Sequence, residues 1–124
     1  HEVGHHIQNL LGIADKVTNA RMRSSEVDGN ALQVRMELQA DCLAGIWAKE
    51  AGAAGRLSEG DIEEGLAAAE AVGDDRIQKQ ATGRISPENF THGTSEQRAR
   101  WFNDGFSSGQ INACNTFQVS DDDL

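Results

Sequence analysis

The sequence predicts a mainly α-helical chain of about four to five helices joined by long loops, and three observations carry that expectation. Apolar residues recur every three or four positions, first as Val3, Ile7, Leu10, Leu11, Ala14 and Val17, then as Leu32, Met36, Ala40, Leu43 and Trp47. That spacing lines one face of a helix. Capping signals bracket other segments: Ser58 ahead of Glu59 and Asp61, Thr94 three positions before Gln97, and glycines at 52, 73 and 109 after apolar runs. The only proline, Pro87, falls in a polar, glycine-flanked stretch that reads as a loop.

Taken in order, residues 1–18 form the first predicted helix. At 100° per residue its apolar stripe falls on one side, and His1, His5 and Gly12 fall roughly opposite. The stripe is expected to be covered and the histidine side to line a cleft. Residues 19–30 are polar and charged and read as a loop. A second helix is expected over 30–51, with Asp28 or Asn30 near its N-cap and Gly52 at its end. Along one of its faces Glu37 and Asp41 are followed by Ala44 and Ala48, which suits close packing against another helix. A third helix runs from Ser58 to about Val72, and residues 74–81 form a short one. Residues 82–93 make a long loop. The last helix starts at Thr94 and ends at Gly109, burying Ala99, Phe102 and Phe106. The tail, 110–124, is expected to run over the surface and fray at Asp121-Asp122-Asp123.

Composition bounds the class. The chain has 124 residues, enough for one domain or part of one, and 38% of them are hydrophobic. A net charge of −9 would repel phosphates, which argues against nucleic acid or an anionic membrane surface as partner. No apolar run approaches the ~18 residues that a membrane span requires. Two cysteines, Cys42 and Cys114, fit neither a zinc ribbon nor a C-x-x-C redox pair. A bridge between them would stabilise by about 4 kcal/mol on a chain-entropy estimate. The alternative is two reduced thiols, with Cys42 a small buried hydrophobe.

The chemistry concentrates at the start. His1-Glu2-Val3-Gly4-His5 reads H-E-x-x-H. On a helix the two histidines lie one turn apart, about 6 Å along the axis, and can present two imidazoles to one metal ion. Glu2 is rotated off that line and can hold a water acidified by the metal, the general-base position of a metalloprotease. His6 lies about 140° from His1 and cannot replace His5. The pattern needs a third ligand, and Glu37-Leu38-Gln39-Ala40-Asp41 offers an E-x-x-x-D segment 32 residues after His5. Glu37 would be that ligand, and Asp41 would accept a hydrogen bond from His1 and fix its tautomer. Asp41 as third ligand is the rival reading, and a solvated acidic face for both Glu37 and Asp41 is the bland one. His92, in the loop before a helix start, is a candidate oxyanion stabiliser or a structural loop residue.

Three blocks carry a resemblance: His1 through Gln8, Glu37-Leu38-Gln39-Ala40-Asp41-Cys42-Leu43-Ala44-Gly45, and Thr91-His92-Gly93-Thr94-Ser95-Glu96-Gln97-Arg98. They resemble the neutral zinc metallopeptidases of bacteria, and the E-x-x-A-D segment is similar to that of membrane-bound gluzincins. The resemblance implies the helical part of a zincin-like domain, one zinc ion held by His1, His5 and Glu37, and hydrolysis of a peptide or protein substrate. Family members carry a substantial region before this helix, and this chain begins at it. The expectations are therefore a partial domain, and self-association through an uncovered helix face. An extracytoplasmic or membrane-anchored location, through that preceding region, is expected as well. A helical module without protease activity, binding zinc or only a partner, is the alternative.

Overall fold

The structure, a computed structural model, describes residues 1–124. It consists of helices α1 (Glu2–Leu10), α2 (Ile13–Met22), α3 (Glu26–Ala53), α4 (Glu59–Ala71), α5 (Asp74–Thr82) and α6 (Ser95–Ser108), with three short 3-10 turns at Pro87–Asn89, Ile111–Cys114 and Asp121–Asp123. It is mainly α and contains no strand.

The long helix α3 is the axis of the fold. Ser25 caps it by accepting from the Asp28 amide at 3.2 Å. The expected start near 28–30 is thus too late, because Asp28 is the acid of the first turn and not the cap. Residues 37–45 of α3 are all buried, which requires neighbours on every side. α1 and α2 cover one side, α6 another, and the tail a third. The core gathers Val34, Leu38, Cys42 and Leu43 of α3 with Phe90, Trp101 and Cys114.

Three glycines let the helices touch backbone to backbone. A Cβ on Gly4 would overlap the carbonyl of Ala40, one on Gly45 the carbonyl of Phe102, and one on Gly105 the carbonyl of Cys42. α1 and α6 therefore lie against α3 as closely as main chains allow.

Four further expectations are corrected. The helix read over 1–18 is two helices: Gly12 adopts φ 76°, a left-handed conformation that ends α1 and turns the chain. The face of α1 that meets α3 is Gly4 and Gln8 with the histidines, while Val3, Leu10 and Leu11 are exposed. Of the predicted stripe Ile7 packs against the core and Val17 is buried, but close approach at Gly4 and polar pairing at Gln8 decide which side of α1 meets α3. On α6 the buried residues are Arg98, Trp101 and Gly105, with Ala99, Phe102 and Phe106 only half-buried. The tail does not run loose: Thr116 is fully buried. Its hydroxyl donates to the carbonyl of Arg35, and the Arg35 guanidinium donates back to the carbonyls of Thr116 and Val119. The indole of Trp101 donates to the carbonyl of Leu124 at 2.8 Å. Cys114 is bonded to Cys42, their Cα atoms 5.5 Å apart.

The remaining boundaries follow their caps. α4 and α6 open with reciprocal capping boxes, Ser58 with Asp61 and Thr94 with Gln97. Gly109, at φ 63°, closes α6.

Candidate metal centre

α1 delivers His1 and His5 to the buried stretch of α3. Both Nε2 atoms point at one oxygen: Glu37 Oε2 lies 2.9 Å from His1 Nε2 and 2.7 Å from His5 Nε2. The ligand atoms of His1, His5 and Glu37 all lie within 4.8 Å of one another. Glu37 is buried, and its other oxygen, Oε1, accepts from the Gln33 amide at 2.7 Å.

Oε2 itself is orphaned. It is buried and, although two ring nitrogens lie close, neither is aligned to donate to it. A buried carboxylate oxygen without a donor is costly. Two imidazole nitrogens and one carboxylate oxygen converging without hydrogen-bond alignment form the donor set of a zinc site with an open fourth position. The residues present therefore fit a zinc ion.

Titration tells the same story. Asp41, accepting from the His1 ring, and then Glu37 beside it raise the His1 pKa to about 9 against the opposing effect of burial. For Glu37 burial works upward, but the hydrogen-bonding proximity of His1, the charge of His5 and the Gln33 amide outweigh it, leaving a pKa of about 2. Metal-free, His1 is an imidazolium facing a carboxylate: a proton stands where cationic charge is wanted.

Asp41 lies one turn beyond Glu37 and has no free oxygen aimed at the site. Oδ1 accepts from His1 Nδ1 at 2.7 Å. The Arg98 fork donates to Oδ2 from Nε at 2.9 Å and to Oδ1 from a terminal nitrogen at 3.1 Å. Arg98 also donates to the carbonyl of Val72 at 3.0 Å. A carboxylate occupied in this way is placed to orient a histidine, and Asp41 is not among the three residues whose ligand atoms converge.

Glu2 is exposed, one position beyond His1. His92 approaches from the loop before α6, its ring centre 6.2 Å from that of His1. Asp74 holds this loop by accepting from the backbone amides of Thr91, His92 and Gly93 at 2.8, 2.6 and 2.9 Å. The His92 ring nitrogen Nδ1 lies 3.1 Å from Thr91 Oγ1, and the side chain is part exposed. His6 is exposed, away from the site.

Sequence reasoning missed Arg98, Gln33, Asp74 and Gln8. Gln8 had a signal, being three positions after His5 and so on the histidine face. Arg98 had a weaker one, sharing a helical face with Trp101 and Gly105. Asp74 had none, since its partners are backbone amides far along the chain.

With this geometry in hand, the chain can be set among known proteins. It belongs to the family described as putative neutral zinc metallopeptidase, whose sequence model matches residues 1–117. It is 55% identical over 120 residues to the uncharacterized protein YpfJ of Escherichia coli (strain K12), covering 97% of this chain and 42% of that protein. It is 47% identical over 131 residues to the uncharacterized protein Mb2605 of Mycobacterium bovis, covering 98% of this chain and 43% of the relative. The chain thus spans about two fifths of the length of these curated relatives. No solved structure matches it significantly. No helix is long and apolar enough to cross a membrane.

Proposed function

We propose that this chain carries the metal centre of a zinc-dependent endopeptidase, with His1, His5 and Glu37 as ligands and Glu2 as general base. The observation that carries the reading is the orphaned Glu37 Oε2, buried between two imidazole nitrogens at 2.9 and 2.7 Å. A zinc ion held there would supply Lewis-acid polarisation of the scissile carbonyl and would acidify a bound water. Glu2 takes the proton of the attacking water and passes it to the leaving amine. Asp41, clamped by Arg98, holds the His1 ring by its Nδ1 hydrogen so that Nε2 keeps its lone pair for the metal. His92 is assigned as donor to the oxyanion. Its nearness to His1 and the Asp74 clamp on its loop support this role. Family membership supports peptides as the substrate class. The buried Cys42–Cys114 bond supports an oxidising, extracytoplasmic setting.

The test pairs zinc content with hydrolysis. The chain is expected to bind one zinc, to lose it in Glu37→Gln, and to keep it in Glu2→Gln while peptide cleavage disappears. Zinc bound through Glu37 without cleavage by the unaltered chain would identify a zinc-binding module instead. Zinc indifferent to Glu37 would refute the ligand set.

A further inference from the structure

Gln8 is fully buried and lies one turn beyond His5 on the face of α1 that meets α3. A side-chain amide carries two donor hydrogens and an acceptor oxygen, and leaving any of them unpaired in the interior is costly. All are used here. Nε2 donates to the carbonyl of Met36 at 2.7 Å and to Gln39 Oε1 at 2.9 Å. Oε1 lies 2.9 Å from His5 Nδ1. Gln39, also buried, donates from Nε2 to the carbonyl of Cys114 at 3.1 Å.

The direction of this chain follows from its ends. A backbone carbonyl can only accept, so the Gln8 atom facing Met36 must be the nitrogen and the atom facing His5 the oxygen. His5 must then carry its hydrogen on Nδ1. By the same logic Gln39 turns its nitrogen to Cys114 and receives the second Gln8 hydrogen on its oxygen. No amide in the series can flip without setting two acceptors against each other. In the neutral ring the lone pair is left on Nε2, the atom 2.7 Å from Glu37 Oε2, so a proton or a cation must stand between the two acceptors.

We propose that Gln8 and Gln39 form a directed amide relay that holds His5 in its Nδ1–H tautomer and aims Nε2 at the metal. The carbonyl of Cys114 is its fixed end. The inference rests on the reading of His1, His5 and Glu37 as zinc ligands. Cys114 is bonded to Cys42 on α3, the helix that also bears Glu37, so the far end of the relay is tied to the frame that carries the third ligand. The two histidines are thereby set by different chemistry: His1 by a carboxylate paired with arginine, His5 by neutral amides. Gln8 and Gln39 act as positioning residues, since neither touches the reacting atoms.

The test compares the unaltered chain with Gln8→Met, Gln8→Glu and Gln39→Met. Three quantities are read: zinc affinity by competition with a chromophoric chelator, thermal unfolding without metal, and the His5 tautomer by ¹⁵N NMR of the ring with and without zinc. Gln8→Met is expected to weaken zinc binding ~10–100-fold, the usual cost of removing the group behind a ligand histidine. Gln39→Met weakens it by a smaller factor. Gln8→Glu keeps the acceptor for His5 and loses both donors. It should bind zinc more tightly than Gln8→Met while unfolding at a lower temperature without metal. A merely structural role would rank zinc affinity in the order of stability, so Gln8→Glu as the weakest binder would overturn the relay. Affinity of Gln8→Met within about twofold of the unaltered chain would do the same. So would a His5 ring whose Nδ1 carries no hydrogen in the metal-free chain, whatever the state of Nε2 beside Glu37. If the unaltered chain takes up no zinc, the ligand assignment fails, and the Nδ1 hydrogen in the metal-free chain still decides the relay.

Discussion

The molecule has a tight half and a loose half. In the first, α1 and α6 press against α3 through glycines, and residues 37–45 of α3 are all buried, acids included. In the second, α4 and α5 bury no residue at all. A cleft of about 290 Å³, lined by His1, Ala44, Ala68 and Phe102 among others, opens between α4 and the tight half. Every candidate ligand lies on α1 or α3. The loose half contributes supports only: Asp74 steadies the His92 loop through backbone amides, and the Val72 carbonyl accepts from Arg98. The difference teaches where geometry matters: metal ligation needs atoms fixed to tenths of an ångström, and those atoms sit where main chains touch.

The largest effect is expected from pushing the tight half apart. Gly4→Val would drive a branched side chain into the backbone of Ala40. Zinc binding should be abolished and stability reduced by ~3 kcal/mol, the upper end of the cost of overpacking. Zinc content and denaturant unfolding check both. Arg98→Met comes next, because it strips the buried Asp41 of its guanidinium. A buried carboxylate left by its partner costs roughly 3–5 kcal/mol, and the pairing of Asp41 with His1 places the result near the lower figure. Chemical denaturation of the metal-free variant reads it.

A smaller effect concerns protons. The His1 pKa is raised to about 9 in the metal-free chain, whereas zinc takes neutral imidazole. Below pH 9 zinc uptake should therefore expel a proton from His1. Apparent affinity should rise about tenfold per pH unit and level off above 9. Stability of the metal-free chain has the opposite sense. The raised pKa contributes fully below the unfolded value of 6.5 and is lost as pH rises through 9. Calorimetry in buffers of different ionisation enthalpy counts the released proton. The smallest effect belongs to the loose half: Glu63→Ala, on the exposed side of α4, should leave zinc affinity unchanged and alter stability by no more than ~0.5 kcal/mol. A larger loss of affinity would show that α4 constrains the site after all.

Much of the architecture was legible. Ser58 and Thr94 announce α4 and α6 because a cap is a local device, complete within four residues. The pair His1 and His5 could be read for the same reason, since both lie within one helical turn. Long-range features were not legible. Periodicity assigns the apolar stripe of α1 to the interior, but the glycine contact and the polar partners on α3 leave only Ile7 of it against the core, and no local pattern encodes a neighbour 36 residues away, as Ala40 is from Gly4. The tail looked loose because, apart from Cys114 and the Thr116 hydroxyl, most of its anchors are backbone carbonyls, which every sequence has. The choice between Glu37 and Asp41 turns on Arg98, 57 residues beyond Asp41, a distance at which sequence alone carries no register.

The contact at Gly4 also bears on ion size. With only a hydrogen between α1 and the Ala40 backbone, the gap between the histidine pair and Glu37 is set by abutting main chains, which do not compress or spread as side chains do. Such a seat cannot expand for a larger guest. Zinc is held at about 2.0–2.1 Å from nitrogen, whereas calcium asks for six or more oxygens at about 2.3–2.6 Å. If the proposed site holds zinc, selectivity for the small ion would be written partly in a side chain that is absent.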